Sequence, residues 1–311
     1  MQVDSRITKL EDNMNRVMLG KPDVIRMCII AVLSGEHILL EDVPGVGKTL
    51  AGKALAKSVS GEFHRIQFTP DLLPSDIVGS SVFNSNTSEF IFEKGPIFAN
   101  VVLADEINRA PPRTQSALLE AMSDSQVTVD GTTYDLPDPF TVIATQNPFE
   151  FEGTYVLPES QLDRFLLRVA IGYPDREHER QVLSSHRAGE PVDSLQPAIS
   201  LDEVRALQTA TREVRVDDSI TEYVLSVAEA TRNSPDLNVG ISTRGVLLWY
   251  RAGQALALLS GRDYVTPDDI KWLGIPVLAH RVMGRGLLEG SMTGETRPII
   301  QRILNQVPAP V

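Results

Sequence analysis

The chain has 311 residues, room for about two domains with a sizeable core, which excludes a short disulfide-stapled module. Its 41 acidic residues against 29 Lys plus Arg leave a formal charge of −12, so no broad basic field exists to hold nucleic acid. Cys28 is the single cysteine; it rules out an internal disulfide and cysteine-built zinc or iron–sulfur sites, and it fits a reducing, cytoplasmic setting. The longest apolar run, residues 27–33, is far short of the ~20 residues that span a bilayer, and the polar start MQVDSRITK has no signal-peptide core.

Residues 37–172 alternate short apolar strands with helical stretches, the pattern of a mostly parallel sheet covered by helices. The predicted strands are 37–41, 63–68, 101–105, 140–145 and 165–171. The first runs into Glu41-Asp42-Val43-Pro44-Gly45-Val46-Gly47-Lys48-Thr49-Leu50 and then a helix over 49–60, with Gly61 expected as the residue that ends it. A Gly-rich turn between strand and helix is a phosphate cradle. Gly45 and Gly47 let backbone N–H groups approach phosphate oxygens, the helix N-terminus adds partial positive charge, Lys48 reaches the β and γ phosphates, and Thr49 can ligate Mg²⁺. The full pattern G-x-x-x-x-G-K-[ST] asks for glycine where this chain has Asp42.

Residues 81–83 and 90–92 flank a polar turn and read as a hairpin outside the strand–helix alternation. The strand at 101–105 then ends in Asp105-Glu106, two carboxylates at the C-terminal sheet edge where α/β folds bind ligands. Asp105 suits the Mg²⁺ shell, through water, and Glu106 the polarisation of an attacking water as general base. A helix over 112–124 leads to a second hairpin, 127–129 and 132–134, around the strong turn signal Asp130-Gly131. The strand at 140–145 ends in Gln146-Asn147-Pro148, and the Asn147 amide is placed to orient water or touch the γ-phosphate.

Beyond Tyr173-Pro174 the strand signals cease. Residues 188–198 read as a linker, followed by at least four helices whose starts are marked by Ser200 with Glu203, by Ser242, and by Thr266-Pro267-Asp268, with Gly261 closing the helix that Ser242 opens.

The wording EDVPGVGKT, ADEINRAPPRTQSALLEAM, ATQNP and LPESQLDRF resembles the MoxR family of AAA+ ATPases over most of the chain. The resemblance implies a P-loop core with a five-stranded parallel sheet (residues 1–187) and a C-terminal helical lid (residues 188–311), with ATP and Mg²⁺ as cofactors. It makes residues 44–50 the Walker A loop and Asp105-Glu106 the Walker B pair. It also makes the first hairpin a helix-2 insert, the second a pre-sensor-1 hairpin, and residues 17–22 the segment that packs on adenine. Arg164 of QLDRF becomes the finger that reaches a neighbouring subunit's γ-phosphate, with Arg168 and Arg109 as rivals, and Arg244 the sensor arginine within its own subunit.

By the same resemblance the chain forms a homo-oligomeric ring, a hexamer, that remodels or matures protein partners, among them proteins with a von Willebrand factor A domain. A metal-chelatase motor shares this AAA+ branch, and nothing local separates the two. A DNA translocase is the third class, and charge argues against it: residues 80–93 and 126–137 contain no Lys or Arg to track phosphates.

Overall fold

The computed structural model describes residues 3–43, 45–147, 153–185, 189–285 and 292–310, the side chains of 292–295 excepted. Pro44, Pro148 and Ala188, singled out in the sequence, lie outside the described residues.

Two helices, α1 (Ser5–Asn15) and α2 (Pro22–Ser34), precede β1 (Ile38–Glu41), α3 (Lys48–Ser58) and β2 (Phe63–Gln67). A short helix α4 (Pro74–Val78) leads into the hairpin β3 (Gly79–Asn84) and β4 (Glu89–Lys94), then β5 (Val101–Asp105) and α5 (Pro112–Asp124). The second hairpin, β6 (Gln126–Val129) and β7 (Thr132–Asp135), is followed by β8 (Thr141–Gln146), the single turn α6 (Glu159–Leu162), β9 (Leu167–Val169) and α7 (Arg176–Ser185). The remainder comprises α8 (Leu201–Glu213), α9 (Asp218–Arg232), β10 (Leu237–Val239), α10 (Thr243–Leu259), α11 (Pro267–Leu278), β11 (Met283–Gly284) and α12 (Met292–Gln306).

The main sheet has the order β2-β5-β8-β1-β9, and all its pairs are parallel. β1, β5, β8 and β9 are buried on both faces, whereas the edge strand β2 buries only Ile66, and the period of two divides the buried side chains between two cores. Ile38, Leu40, Val101 and Leu103 enter one core with α2, α3 and the C-terminal helices, while Leu39, Val102, Ala104 and Val142 enter the other with α5. The first core runs without a break from α1 and α2 into α8 and α10, so the lid helices share apolar packing with the N-terminal helices.

Local signals explain most boundaries. Pro22 opens α2 at its first turn, and Gly35, at φ 69°, closes it in the left-handed conformation. The predicted caps at Ser200, Ser242 and Thr266 each accept a hydrogen bond from a backbone N–H of the first turn. Asp130 and Gly131 both have positive φ, as a two-residue primed turn requires. At the end of α3 the expectation is corrected. Ser60, not Gly61, takes the left-handed position at φ 53°, and Gly61 is the next residue, whose N–H reaches back to the Ala56 carbonyl at 3.0 Å. A second correction is the antiparallel pair β10–β11 inside the helical region, too short to leave a period-two pattern.

The two hairpins touch. Phe92 stacks on Tyr134 with ring centres 4.1 Å apart and packs edge-on against Phe98. Phe83 and Phe90 face each other across the first hairpin and remain 54% and 73% exposed.

Candidate active site

All five strands of the main sheet end at one edge, and the loops there enclose a cavity of about 810 Å³. Gly45, Val46, Gly47, Lys48, Thr49 and Leu50 line it, together with Asp105 and Glu106, so the loop and the carboxylate pair found in the sequence converge on one space. Gly45 and Gly47 have φ of 84° and 97°, values open to glycine at little cost, and a Cβ added at Gly45 would meet nothing within 4 Å. Gly47 caps α3, whose first residue is Lys48.

Asp42 stands where the general pattern wants glycine, and the structure gives it work. One carboxylate oxygen accepts from the Gly172 N–H at 2.5 Å and the other from the Val43 N–H at 2.8 Å, while the Asp42 carbonyl accepts from Lys48 Nζ at 2.7 Å. The residue ties the start of the loop to the chain beyond β9.

Asp105, the carboxylate expected on the metal side, is buried and held. Asp105 accepts from the Thr145 hydroxyl and from Arg65 Nη2, both at 2.5 Å. Thr145 Oγ1 in turn accepts the Glu106 N–H at 2.9 Å, which fixes the turn between the two carboxylates. Glu106 has φ 58°, a left-handed conformation that costs a residue other than glycine on the order of 1–3 kcal/mol and recurs at functional sites. Its Oε2 accepts from Gln67 Nε2 at 2.8 Å and pairs with Arg109 Nε at 3.2 Å. Thr49 and Asp105 at the mouth of a glycine cradle offer a hydroxyl and a carboxylate, the oxygen donors that suit Mg²⁺ when phosphates complete its shell.

The other predicted residues are not gathered into this cavity. Asn147 follows β8 at the same sheet edge but is not among the lining residues. Arg164 points to α5, donating from Nη1 to the Leu119 carbonyl and to Ser123 Oγ, the latter at 2.6 Å. Arg244, expected beside its own subunit's phosphate, is exposed in the first turn of α10 and outside the cavity lining. The rival fingers are engaged within the chain: Arg109 with Glu106, and Arg168, buried, with Glu41, whose other oxygen accepts from Gln146 Nε2 at 2.6 Å.

Residues 17–19 line the cavity, as expected of the early segment, and Ile171, Tyr173, Val182 and Leu183 complete an apolar slot with them. Arg65, Gln67, Thr145 and α7 were not read from the sequence. Arg65 and Gln67 carried a signal, being polar residues two apart near the C-terminal end of a strand, and so on one face at the ligand edge. Thr145 carried none.

Residues 37–167 match the ATPase family associated with various cellular activities (AAA), and residues 229–303 match the AAA lid domain. The chain is 41% identical over 306 residues to Chaperone MoxR1 of Mycobacterium tuberculosis, covering 95% of this chain and 80% of that protein. It is 50% identical over 304 residues to the uncharacterised protein YeaC of Bacillus subtilis, covering 97% and 94%. A crystal structure from Cytophaga hutchinsonii, assigned as an ATPase, superposes with a TM-score of 0.89 at 39% identity, covering 99% of this chain and 96% of that one. The chain is thus an ATP-hydrolysing enzyme and belongs to the MoxR family of AAA+ ATPases.

Proposed function

We propose that this ATPase binds Mg·ATP in the cavity, assembles into a hexameric ring, and uses hydrolysis to remodel or mature partner proteins in the cytoplasm. The observation that supports the site is the convergence of residues 45–50 with Asp105 and Glu106 on one cavity. Lys48 and the backbone N–H groups of the loop bind the phosphates, and Thr49 and Asp105 hold the cation. Mg²⁺ neutralises charge on the β and γ oxygens when bound. Glu106 orients and deprotonates water, Asn147 senses the γ-phosphate, and Arg164, outside its own cavity, serves a neighbouring copy. Pro44 belongs to the same loop in this reading.

The protein-directed reading draws on the chaperone named among the relatives and on hairpins that expose Phe83 and Phe90 among Glu89 and Glu93, with no Lys or Arg in residues 80–93. Such a surface suits a basic or apolar protein segment and repels a phosphate backbone. A partner with a von Willebrand factor A domain is the one to seek.

Lys48→Ala and Glu106→Gln test the site together. Lys48→Ala is expected to lose nucleotide binding, whereas Glu106→Gln keeps it and loses turnover, measured by equilibrium binding and phosphate release. Wild-type turnover in Glu106→Gln overturns the assignment of the base. Glu106→Gln loaded with ATP is also the bait for partner capture.

A further inference from the structure

Arg164 lies in a segment with little secondary structure of its own, between the single turn α6 and the three-residue strand β9. Its backbone is nevertheless fixed, and by a residue of the lid. Arg281, three residues beyond α11, is buried and donates to the carbonyls of Asp163, Phe165 and Leu166, so one guanidinium holds the chain on both sides of Arg164. Its Nε donates to Asp163 Oδ1 at 2.9 Å. The second oxygen, Asp163 Oδ2, accepts from Ser242 Oγ at 3.3 Å, and Ser242 is the cap of α10, whose first turn carries Arg244. One carboxylate therefore joins the segment of Arg164, the end of α11 and the start of α10.

Burial draws the Arg281 guanidinium down to about 10, while Asp163 opposes that shift, so the pair is held together by desolvated charge as well as by geometry. The hydrogen bonds to three carbonyls within residues 163–166 cannot be kept if the lid turns relative to that stretch. Lid orientation and finger position are thus one variable.

We propose that Asp163 and Arg281 are a positioning pair that locks the lid, at the start of α10 and the end of α11, to the segment of Arg164 and so presents Arg164 to the nucleotide of a neighbouring copy. This rests on the reading that Arg164 acts across subunits. It adds that the lid of one subunit controls turnover in the next.

The test uses mixed assemblies in which only one kind of site can turn over. Lys48→Ala subunits supply arginines but bind no nucleotide, and Arg164→Ala subunits bind nucleotide but supply no finger; their mixture is the reference. In the first arm Asp163→Asn is added to the Lys48→Ala subunit, and in the second to the Arg164→Ala subunit. The expected result is a fall in kcat of roughly 10- to 100-fold in the first arm, the range that a displacement of about 1 Å produces, with KM for ATP unchanged and the second arm equal to the reference. An equal fall in both arms, or none in the first, overturns the pair as a positioning device. Should Asp163→Asn melt below the assay temperature, Arg281→Lys takes its place with the same outcomes, since a lysine cannot reach the carboxylate and the flanking carbonyls together. A reference mixture without turnover overturns the shared site itself, and the proposal with it.

Discussion

His37 is buried at the end of the α2–β1 connection with both ring nitrogens engaged. Nδ1 accepts the Val142 N–H at 3.0 Å, so Nε2 carries the proton it gives to the Met122 carbonyl at 2.9 Å. Burial lowers its pKa from 6.5 to about 4, which means that the unfolded chain binds the proton more readily than the folded one. Stability from this group is complete above pH 6.5 and is lost as pH falls towards 4, by about 2 kcal/mol at pH 5 if each unit carries ~1.4 kcal/mol. Buried His280 acts in the same direction, and Glu36, whose carboxyl is raised by burial, in the opposite one. Urea unfolding at pH 7 and pH 5 is expected to show the loss, and His37→Gln to reduce the pH slope.

Asp42 yields a second expectation. Restoring the general pattern with Asp42→Gly removes a charged acceptor from the Gly172 and Val43 N–H groups, and is expected to lower stability by about 1.5–3 kcal/mol and to weaken nucleotide binding. Thermal melts and nucleotide titration check it; a glycine variant that binds as tightly and melts as high counts against the tie. At this level the sequence was legible wherever a residue type has one job. Gly47, Lys48, Asp105 and Glu106 announce themselves because strand, turn and charge occur in order. Thr145 does not, because its hydroxyl matters only once β5 and β8 are side by side.

The hairpins divide their aromatics by role. Phe92 is half-buried and spent on Tyr134 and Phe98, so it belongs to the fold, whereas Phe83 and Phe90 contact each other and remain in solvent. Replacing Phe83 and Phe90 by Ser removes a cross-strand ring pair and is expected to lower stability by about 0.5–1.5 kcal/mol while leaving ATP turnover intact. Partner capture by Glu106→Gln is expected to disappear with the same replacement, read by pull-down; retained capture removes these rings from the partner surface. The polar turn of the first hairpin and the Asp130-Gly131 turn of the second made the existence of both hairpins readable in advance. The short α4 before β3 and the pair β10–β11 were not, since elements of two to five residues contain less than one full repeat of any pattern.

The lid and the N-terminal helices share one core, while Arg164 and Arg244 lie away from the cavity of their own chain. A single copy therefore does not bring these charges into its own cavity, and on the proposed reading of Arg164 as a finger, Arg164→Ala is expected to lose ~10³ to 10⁵ in turnover with ATP affinity spared. Glu106→Gln with Mg²⁺ and ATP is expected to reach the mass of a ring by light scattering, and a mass that stays monomeric at tens of micromolar counts heavily against it. DNA is expected neither to bind near physiological salt nor to speed hydrolysis; saturable binding with a steep salt slope and faster turnover would move the chain to the translocase class. The change from a strand-and-helix pattern to a helical one was open to sequence reading, but the union of the two parts through α2, α8 and α10 was not, because amphipathic faces say that a helix is covered without saying by what.

The stack of Phe92 on Tyr134 has a mechanical consequence. The two hairpins leave the chain on either side of β5 and α5, the stretch that carries Asp105 and Glu106, and the ring contact closes that stretch into a braced frame. A pull on either hairpin tip is shared by both roots, one before the carboxylates and one after them. On the proposed reading, load on a bound partner would reach Asp105 and Glu106 from two sides at once, the arrangement of a strain gauge, and Tyr134→Ala is expected to keep ATP turnover, measured by phosphate release, while losing partner remodelling.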